Sequence, residues 1–368
     1  MTDTTPFYQK ISLNLITLSL IALILYLGQG ILVPFFFSIL LATLLLPATT
    51  FLQRRKVPKV LSIMIAIFIS LAIISGILYF LSHQISVFLE DIDTIKERIT
   101  KLFHDLQNWV DRTFNVSERK QNEYLRDTAN NMKDSGAGIV GKTVTTITES
   151  LSYVVFLPVY TFLLLYYKDL IKRFFIMAFK NATPEKISGV LYQSSSIGRQ
   201  YILGLFIDMS IVFTLNCIGF LVLGIQYAIF LALVAAILNL IPYIGMLIAN
   251  IFCMLITLVS SETITDVVWV AAVLAAVQFI DNNFLMPLIV GNKVRINALV
   301  TILGVIIGGT LCGIGGMFLA IPAIAFLKVV FDHVPNLKHW GLILGDDDTG
   351  KSKLKKKLLK KGKPEAQA

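Results

Sequence analysis

The stretches LNLIPYIGMLIANI, residues 238–251, and GGTLCGIGGMFLAIPAIAF, residues 308–326, decide how this chain is read. Each is apolar enough for a membrane helix but carries breakers near its centre: Pro242 with Gly245 in the first, Gly313, Gly315 and Gly316 with Pro322 in the second. An interrupted helix exposes backbone N–H and C=O groups at membrane depth, which is tolerated only where they face protein, water or a bound solute. Extended to residues 227–259 and 298–331, both stretches exceed one untilted helix. They are read as two re-entrant hairpins beside a transport site.

The composition agrees with that reading. Across 368 residues the chain is 56% hydrophobic and 15% charged, with a mean hydropathy of +0.76, outside the soluble range. The formal net charge is +9, but eight lysines lie in KSKLKKKLLKKGK, residues 351–363, and leave about +1 elsewhere. The basicity therefore belongs to a tail expected in the cytoplasm near anionic lipid, and no nucleic-acid partner is expected. Cys217, Cys253 and Cys312 fall in apolar runs without CxxC spacing, so neither a disulfide framework nor a metal site is indicated.

Six further runs are long enough to cross about 30 Å of hydrocarbon: residues 11–27, 31–52, 60–81, 151–167, 201–223 and 264–280. The first is read as a retained span, because no small-residue cleavage site follows it. The fold class is thus an all-α polytopic membrane protein of six spans plus two re-entrant hairpins, about eight membrane segments. Its domains are amino-terminal spans (1–81), an external helical region (82–150), a transport core (151–334) and a basic tail (335–368). Arg54, Arg55, Lys56 and Lys59 follow the second span, and Lys168, Lys172, Arg173, Lys180 and Lys186 follow the fourth. The positive-inside rule puts both loops, both termini, Lys293 and Arg295 in the cytoplasm of a bacterial inner-membrane protein.

In the external region Ile85, Phe88, Ile92, Ile95, Ile99, Leu102, Leu106 and Trp109 recur at steps of three and four, the seam of a packed amphipathic helix. Its partner is either a following helix around Tyr124, Leu125, Ala129 and Met132 or a second subunit. Thr183-Pro184-Glu185 starts another helix, whose face of Ile187, Val190, Leu191, Ser194 and Ile197 predicts a helix along the membrane surface.

GAGIVGKT, residues 136–143, matches the phosphate-loop pattern, but no buried strand precedes it, and it reads as a glycine hinge. His83, His104, His333 and His339 have no ligand spacing, and no nucleophile or acid–base dyad is recognisable, so neither an enzyme nor a cofactor is expected. What remains is a set of polar residues at membrane depth: Asp208, Asn216, Asn239, Asn250, Gln278, Asp281, Asn282 and Asn283. An ionised Asp at a helix centre costs about 2.5–3.5 kcal/mol on insertion scales, so Asp208 should face protein or water. The candidate substrate- or ion-binding residues are Asp208, Asn239, Pro242, Gly245, Asp281, Asn282, Asn283, Gly313, Gly315 and Gly316. The expected function is secondary export of a small polar solute. Alternatives are a cation/proton antiporter in which Asp208 or Asp281 alternates between proton and sodium, and a non-transporting membrane scaffold.

IPYIG (241–245), DNNFLMPLIVGNKV (281–294) and GGTLCGIGGMFLAIP (308–322) resemble the autoinducer-2 exporter family of bacterial permeases, most specifically over residues 199–330. This chain has Gly204-Leu205 where that family commonly has Gly-Gln, and Asn297-Ala298 where it commonly has His-Pro. The resemblance implies export of a signal such as autoinducer-2, or exchange of sodium or lithium for protons. It also implies a homo-oligomer, a pentamer among its candidate forms, moving solute by an elevator-like step.

Overall fold

A computed structural model of the chain describes residues 7–114, 154–179, 183–241, 244–261, 263–289, 296–334 and 337–345. The glycine-lysine motif at 136–143, the residues around Tyr124, Pro242, Lys180, Lys293, Arg295 and the basic tail lie outside them. Among the described residues the chain is helical throughout, apart from an isolated antiparallel bridge between Ile296 and Gly345.

The amino-terminal layer is α1 (Phe7–Leu27), α2 (Gln29–Arg54) and α3 (Lys59–Glu90). Helix α2 keeps its course through Pro34 and Pro47 and packs on α3 and on α5 (Val154–Tyr166) through Ala42, Leu45, Ile63, Ala66, Ile67 and Leu165. Much of α1 and α3 presents Leu, Ile and Phe outward. Such a surface is stable in hydrocarbon, where a helix satisfies all its own backbone groups. Helix α4 (Ile92–Phe114) follows a break at Asp91, and α6 (Lys168–Ala178) leaves α5 at 65°.

Helix α7 (Pro184–Val222) runs unbroken for 39 residues, capped at Thr183, whose Oγ1 accepts from the Lys186 N–H. The expected surface helix and the expected fifth span are therefore one element, because nothing between Ser188 and Tyr201 breaks helical hydrogen bonding. Gly204, Asp208, Val212, Asn216 and Phe220 form a buried stripe on it at i, i+4 spacing.

Two helical hairpins pack against α7. The first is α8 (Ala228–Leu238) and α9 (Ile244–Ser260). Its arms are antiparallel: Cys253 Sγ donates to the Leu231 carbonyl at 3.6 Å, and Gly245 abuts the Leu238 carbonyl so closely that a Cβ would not fit. With 11 residues, α8 is about 16 Å long, too short to cross hydrocarbon. The second lies within α12 (Ala298–His333), which folds at Cys312 and Gly313 (φ 60°, ψ −151°). As one straight rod α12 would measure about 54 Å, but its halves lie against each other. Gly308 meets Gly316, and positions 304 and 309 meet Ile324 and Met317. Five helices have the length and composition of a membrane span, six with the bent α5–α6 pair; α12 is in that set by its total length and composition, and is a hairpin by contact. Helix α13 (Lys338–Leu344) closes its base, since the Asn297 N–H donates to the Leu344 carbonyl at 3.0 Å.

The hairpin bases lie at opposite ends of the bundle. The first is held at the α3–α4 corner, where Phe88 stacks on Phe230 at 4.5 Å, Tyr227 donates to Asp91 at 2.7 Å and Arg98 donates to the Ser260 carbonyl at 2.7 Å. The second points the other way along α2: Cys312 lies beside Leu25, Phe318 stacks on Phe37, and Ile321 joins Leu40 and Leu44. The seam expected around α4 is divided, with Phe88 and Ile95 buried against the first hairpin and Ile99 and Leu102 exposed. Arg98 supplies a cation and a donor to the last carbonyls of α9, where the helix dipole is negative. Arg98→Gln is expected to cost about 1 kcal/mol and to speed amide hydrogen exchange in the last turn of α9 more than elsewhere.

Candidate functional site

The first hairpin ends at Asn239, which caps α8. Its position follows from geometry: hairpin and α7 start together near Val222, and 14 residues of α7 separate Val222 from Asp208, about 21 Å of helix. The tip of the hairpin therefore stands beside Asp208, deep inside the bundle. Asn239 Nδ2 donates to Asp208 Oδ2 at 3.4 Å and to Asp281 Oδ2 at 3.1 Å. One carboxamide on the tip thus bridges two carboxyls, one from α7 and one from the end of α10 (Ile264–Ile280).

Asp281 is presented by a π-helical turn, Asp281–Leu285, that joins α10 to α11 (Met286–Ile289). Pro287 cannot donate to the preceding turn, which favours such a local widening, and π-turns inside helices occur often at functional sites. Gln278 Nε2 adds a second amide to Asp281 Oδ2 at 3.3 Å. Asp208 and Asp281 are 3% and 2% exposed, and Oδ1 of each has no hydrogen-bond partner. Two carboxyls sharing one amide at this depth are costly to maintain, because burial removes them from water and like charges in a poorly polarisable interior oppose one another.

Beside the pair lies a cavity of about 10 Å³, room for about one water. Asn216 on α7, Asn239 at the tip, Asn250 on α9 and Gln278 on α10 line it, together with Met246, Ala249 and other apolar residues. Asn216 is 2% exposed, and its Oδ1 is also unpartnered. Four carboxamides from four elements thus converge with no lysine or arginine in the lining.

Among the residues expected from sequence, Asp208, Asn239 and Asp281 come together. Gly245 sits on the Leu238 carbonyl next to Met246 and lets the arms close. Asn282 and Asn283 are exposed on the outer side of the π-turn, where Asn282 Oδ1 accepts from Gln278 and Asn283 Nδ2 donates to the Phe279 carbonyl. Gly313 forms the fold of the second hairpin, Gly316 packs on Gly308, and Gly315 is half-buried between them. Pro242 is outside the described residues. Sequence reasoning sets Asn216, Asn250 and Gln278 among the polar residues at depth without assigning them to the site. The i, i+4 relation of Asn216 to Val212 and Asp208 was the available signal. Among the described residues no group of three or more His, Cys, Asp or Glu side chains could hold a metal.

The tip of the first hairpin and the return arm of the second share a cluster near the middle of α7. Leu240, one residue past Asn239, joins Phe318 and Ile321 of the second hairpin around Tyr201, Ile202 and Leu205. The bundle thus has an apolar cluster between the first hairpin tip and the second hairpin's return arm, with a polar chamber next to it.

Residues 15–336 match the model of the family described as "AI-2E family transporter". The chain is 29% identical to "Putative transport protein YrrI" of Bacillus subtilis over 83% of this chain and 87% of that protein. It is 25% identical to "Putative transport protein MT0215" of Mycobacterium tuberculosis over 82% of each. With "Putative permease PerM" of Escherichia coli it shares 27% over 50% of this chain and 52% of that protein.

Proposed function

The chain belongs to the AI-2E transporter family, and from that premise we propose that it exports a small polar solute, such as autoinducer-2, across a bacterial inner membrane as a secondary transporter. In this reading both termini are cytoplasmic, the hairpins re-enter from opposite faces, and several copies assemble. The observation that carries it is the carboxamide chamber of Asn216, Asn239, Asn250 and Gln278 at the first hairpin tip. Amides supply both donors and acceptors without charge, which suits a hydroxylated solute, and the chamber, with room for about one water in this conformation, opens to admit it as the hairpin moves. The apolar cluster that Leu240, Phe318 and Ile321 form with Tyr201, Ile202 and Leu205 is the natural barrier between the two sides.

Cysteine accessibility tests the pathway. In a background with Cys217, Cys253 and Cys312 replaced by alanine, cysteines introduced at Met246 and Asn250 should react with membrane-impermeant thiol reagents, and added solute should slow the reaction. Failure to react from either side removes the chamber from the pathway. Solute flux in proteoliposomes, compared with protein-free vesicles, tests transport itself.

The bridged carboxyls favour a second reading, antiport of sodium or lithium against protons at Asp208 and Asp281. There, sodium should collapse an imposed pH gradient in proteoliposomes, and Asp208→Asn or Asp281→Asn should abolish the effect. A solute flux that persists without cation or proton movement rejects it.

A further inference from the structure

The α2–α3 turn and the α5–α6 elbow are 110 residues apart in sequence, yet they share one end of the bundle. Helices α2 and α5 run side by side in the same direction, since Ser38 Oγ donates to the Leu157 carbonyl and Leu45 and Leu165 share one core. They finish together at Arg54 and Tyr166. Lys59, at the start of α3, then reaches Asp169 at 3.4 Å and lies 5.1 Å over the Tyr166 ring.

Those contacts bring Arg54, Arg55, Lys56 and Lys59 alongside Lys168, Lys172 and Arg173, with Asp169 the only acid on either segment. Among the described residues Lys59 is the one member with an ion pair; Arg55 instead lies 5.4 Å over the Phe51 ring. Helix α6 turns 65° from α5 and so crosses the end of the bundle rather than lengthening a span. Ile171 and Phe175 are half-buried, Leu170, Phe174 and Met177 form an exposed apolar edge, and Lys172 and Arg173 are exposed, Arg173 beside that edge and Lys172 near the half-buried face. A short amphipathic helix of this kind, set at the ends of apolar helices, belongs at the boundary between headgroups and acyl chains. Clustered cations at that depth attract anionic headgroups.

We propose that the collar between the α2–α3 turn and α6 binds an anionic glycerophospholipid. The phosphate is held by Arg54, Arg55, Lys172 and Arg173, and an acyl chain lies along the exposed rings of Phe51 and Phe174. A lipid bound there ties α2, α3, α5 and α6 to one leaflet, on the side away from the base of the first hairpin.

The test is binding of fluorescently labelled phosphatidylglycerol and phosphatidylcholine, with matched acyl chains, to the purified full chain in mixed micelles. Phosphatidylglycerol should bind about tenfold or more tightly, at about fivefold per contacting cation, and the preference should shrink as salt rises. R54Q/R55Q/K172Q/R173Q should bring the two lipids to parity with the tail lysines intact, while the charge-preserving R54K/R55K/K172R/R173K keeps the preference. Equal binding by the unmodified chain overturns the proposal. A preference that survives in the glutamine variant also overturns it and assigns the effect to the tail. Should the glutamine variant fail to fold, a chain whose eight tail lysines at 351–363 are replaced by glutamine decides: a retained, salt-sensitive preference supports the collar, and loss of the preference rejects it.

Discussion

Asp281→Asn is expected to reduce transport by about 10- to 100-fold without preventing insertion of the protein into the membrane. Asparagine has nearly the shape of aspartate, so the π-turn and its packing survive. What is lost is the charge that faces the Asn239 and Gln278 amides at 3.1 and 3.3 Å. A hydrogen bond to a charged group contributes about 1.5–3 kcal/mol, and each 1.4 kcal/mol is tenfold, which sets the range. Initial rates in proteoliposomes at matched protein content are the measurement, with the melting temperature in detergent as the control for folding. Asp208→Asn should behave alike because the same amide serves both carboxyls. The double variant should lose little more than either single one, since groups that act as a unit are not additive. Full activity in Asp281→Asn would remove the pair from the mechanism.

The bridge also explains how far the sequence could lead. Asp208 and Asp281 are legible as costly polar residues inside apolar runs, because the cost belongs to each residue alone. That one amide joins them is not legible, since it depends on where a 16 Å helix ends against a 39-residue one. Helical periodicity gives the face of Asn216, Asn250 and Gln278 but not which faces meet. The π-turn hid the outcome for Asn282 and Asn283: they follow Asp281 directly, yet the widened turn buries Asp281 and leaves them outside. The breakers of both hairpins were visible as glycine and proline inside apolar runs. The continuity of α7 from Thr183 was not, because Gln193 to Gln200 is polar enough to suggest an interface while containing nothing that ends a helix.

The arms of the hairpins set the other large expectation. Gly316→Val should abolish correct folding, whereas Gly76→Ala should leave the protein intact or stabilise it. A Cβ at Gly316 would collide with the Gly308 backbone carbonyl and press on Cys312, and neither neighbour is a flexible side chain that can swing away. Overpacking of an interior costs about 1–3 kcal/mol where neighbours can adjust. Here the obstacle is backbone in the opposite arm, so the cost should exceed that range and separate the arms. The fold itself has little latitude, because Gly313 at φ 60° and ψ −151° occupies a region open essentially to glycine alone. Gly76 lies within α3 with nothing inside 4 Å of a new Cβ, and alanine in a helix interior is favoured over glycine by about 0.5–1 kcal/mol. Fluorescence-detected size-exclusion chromatography of tagged variants reads both outcomes. A sharp peak for Gly76→Ala and aggregate for Gly316→Val are expected. If Gly316→Val gave a monodisperse and fully active protein, the two halves of α12 could not be folded against each other. The chain would then cross the membrane there as a single rod, leaving the first hairpin without a counterpart on the opposite side.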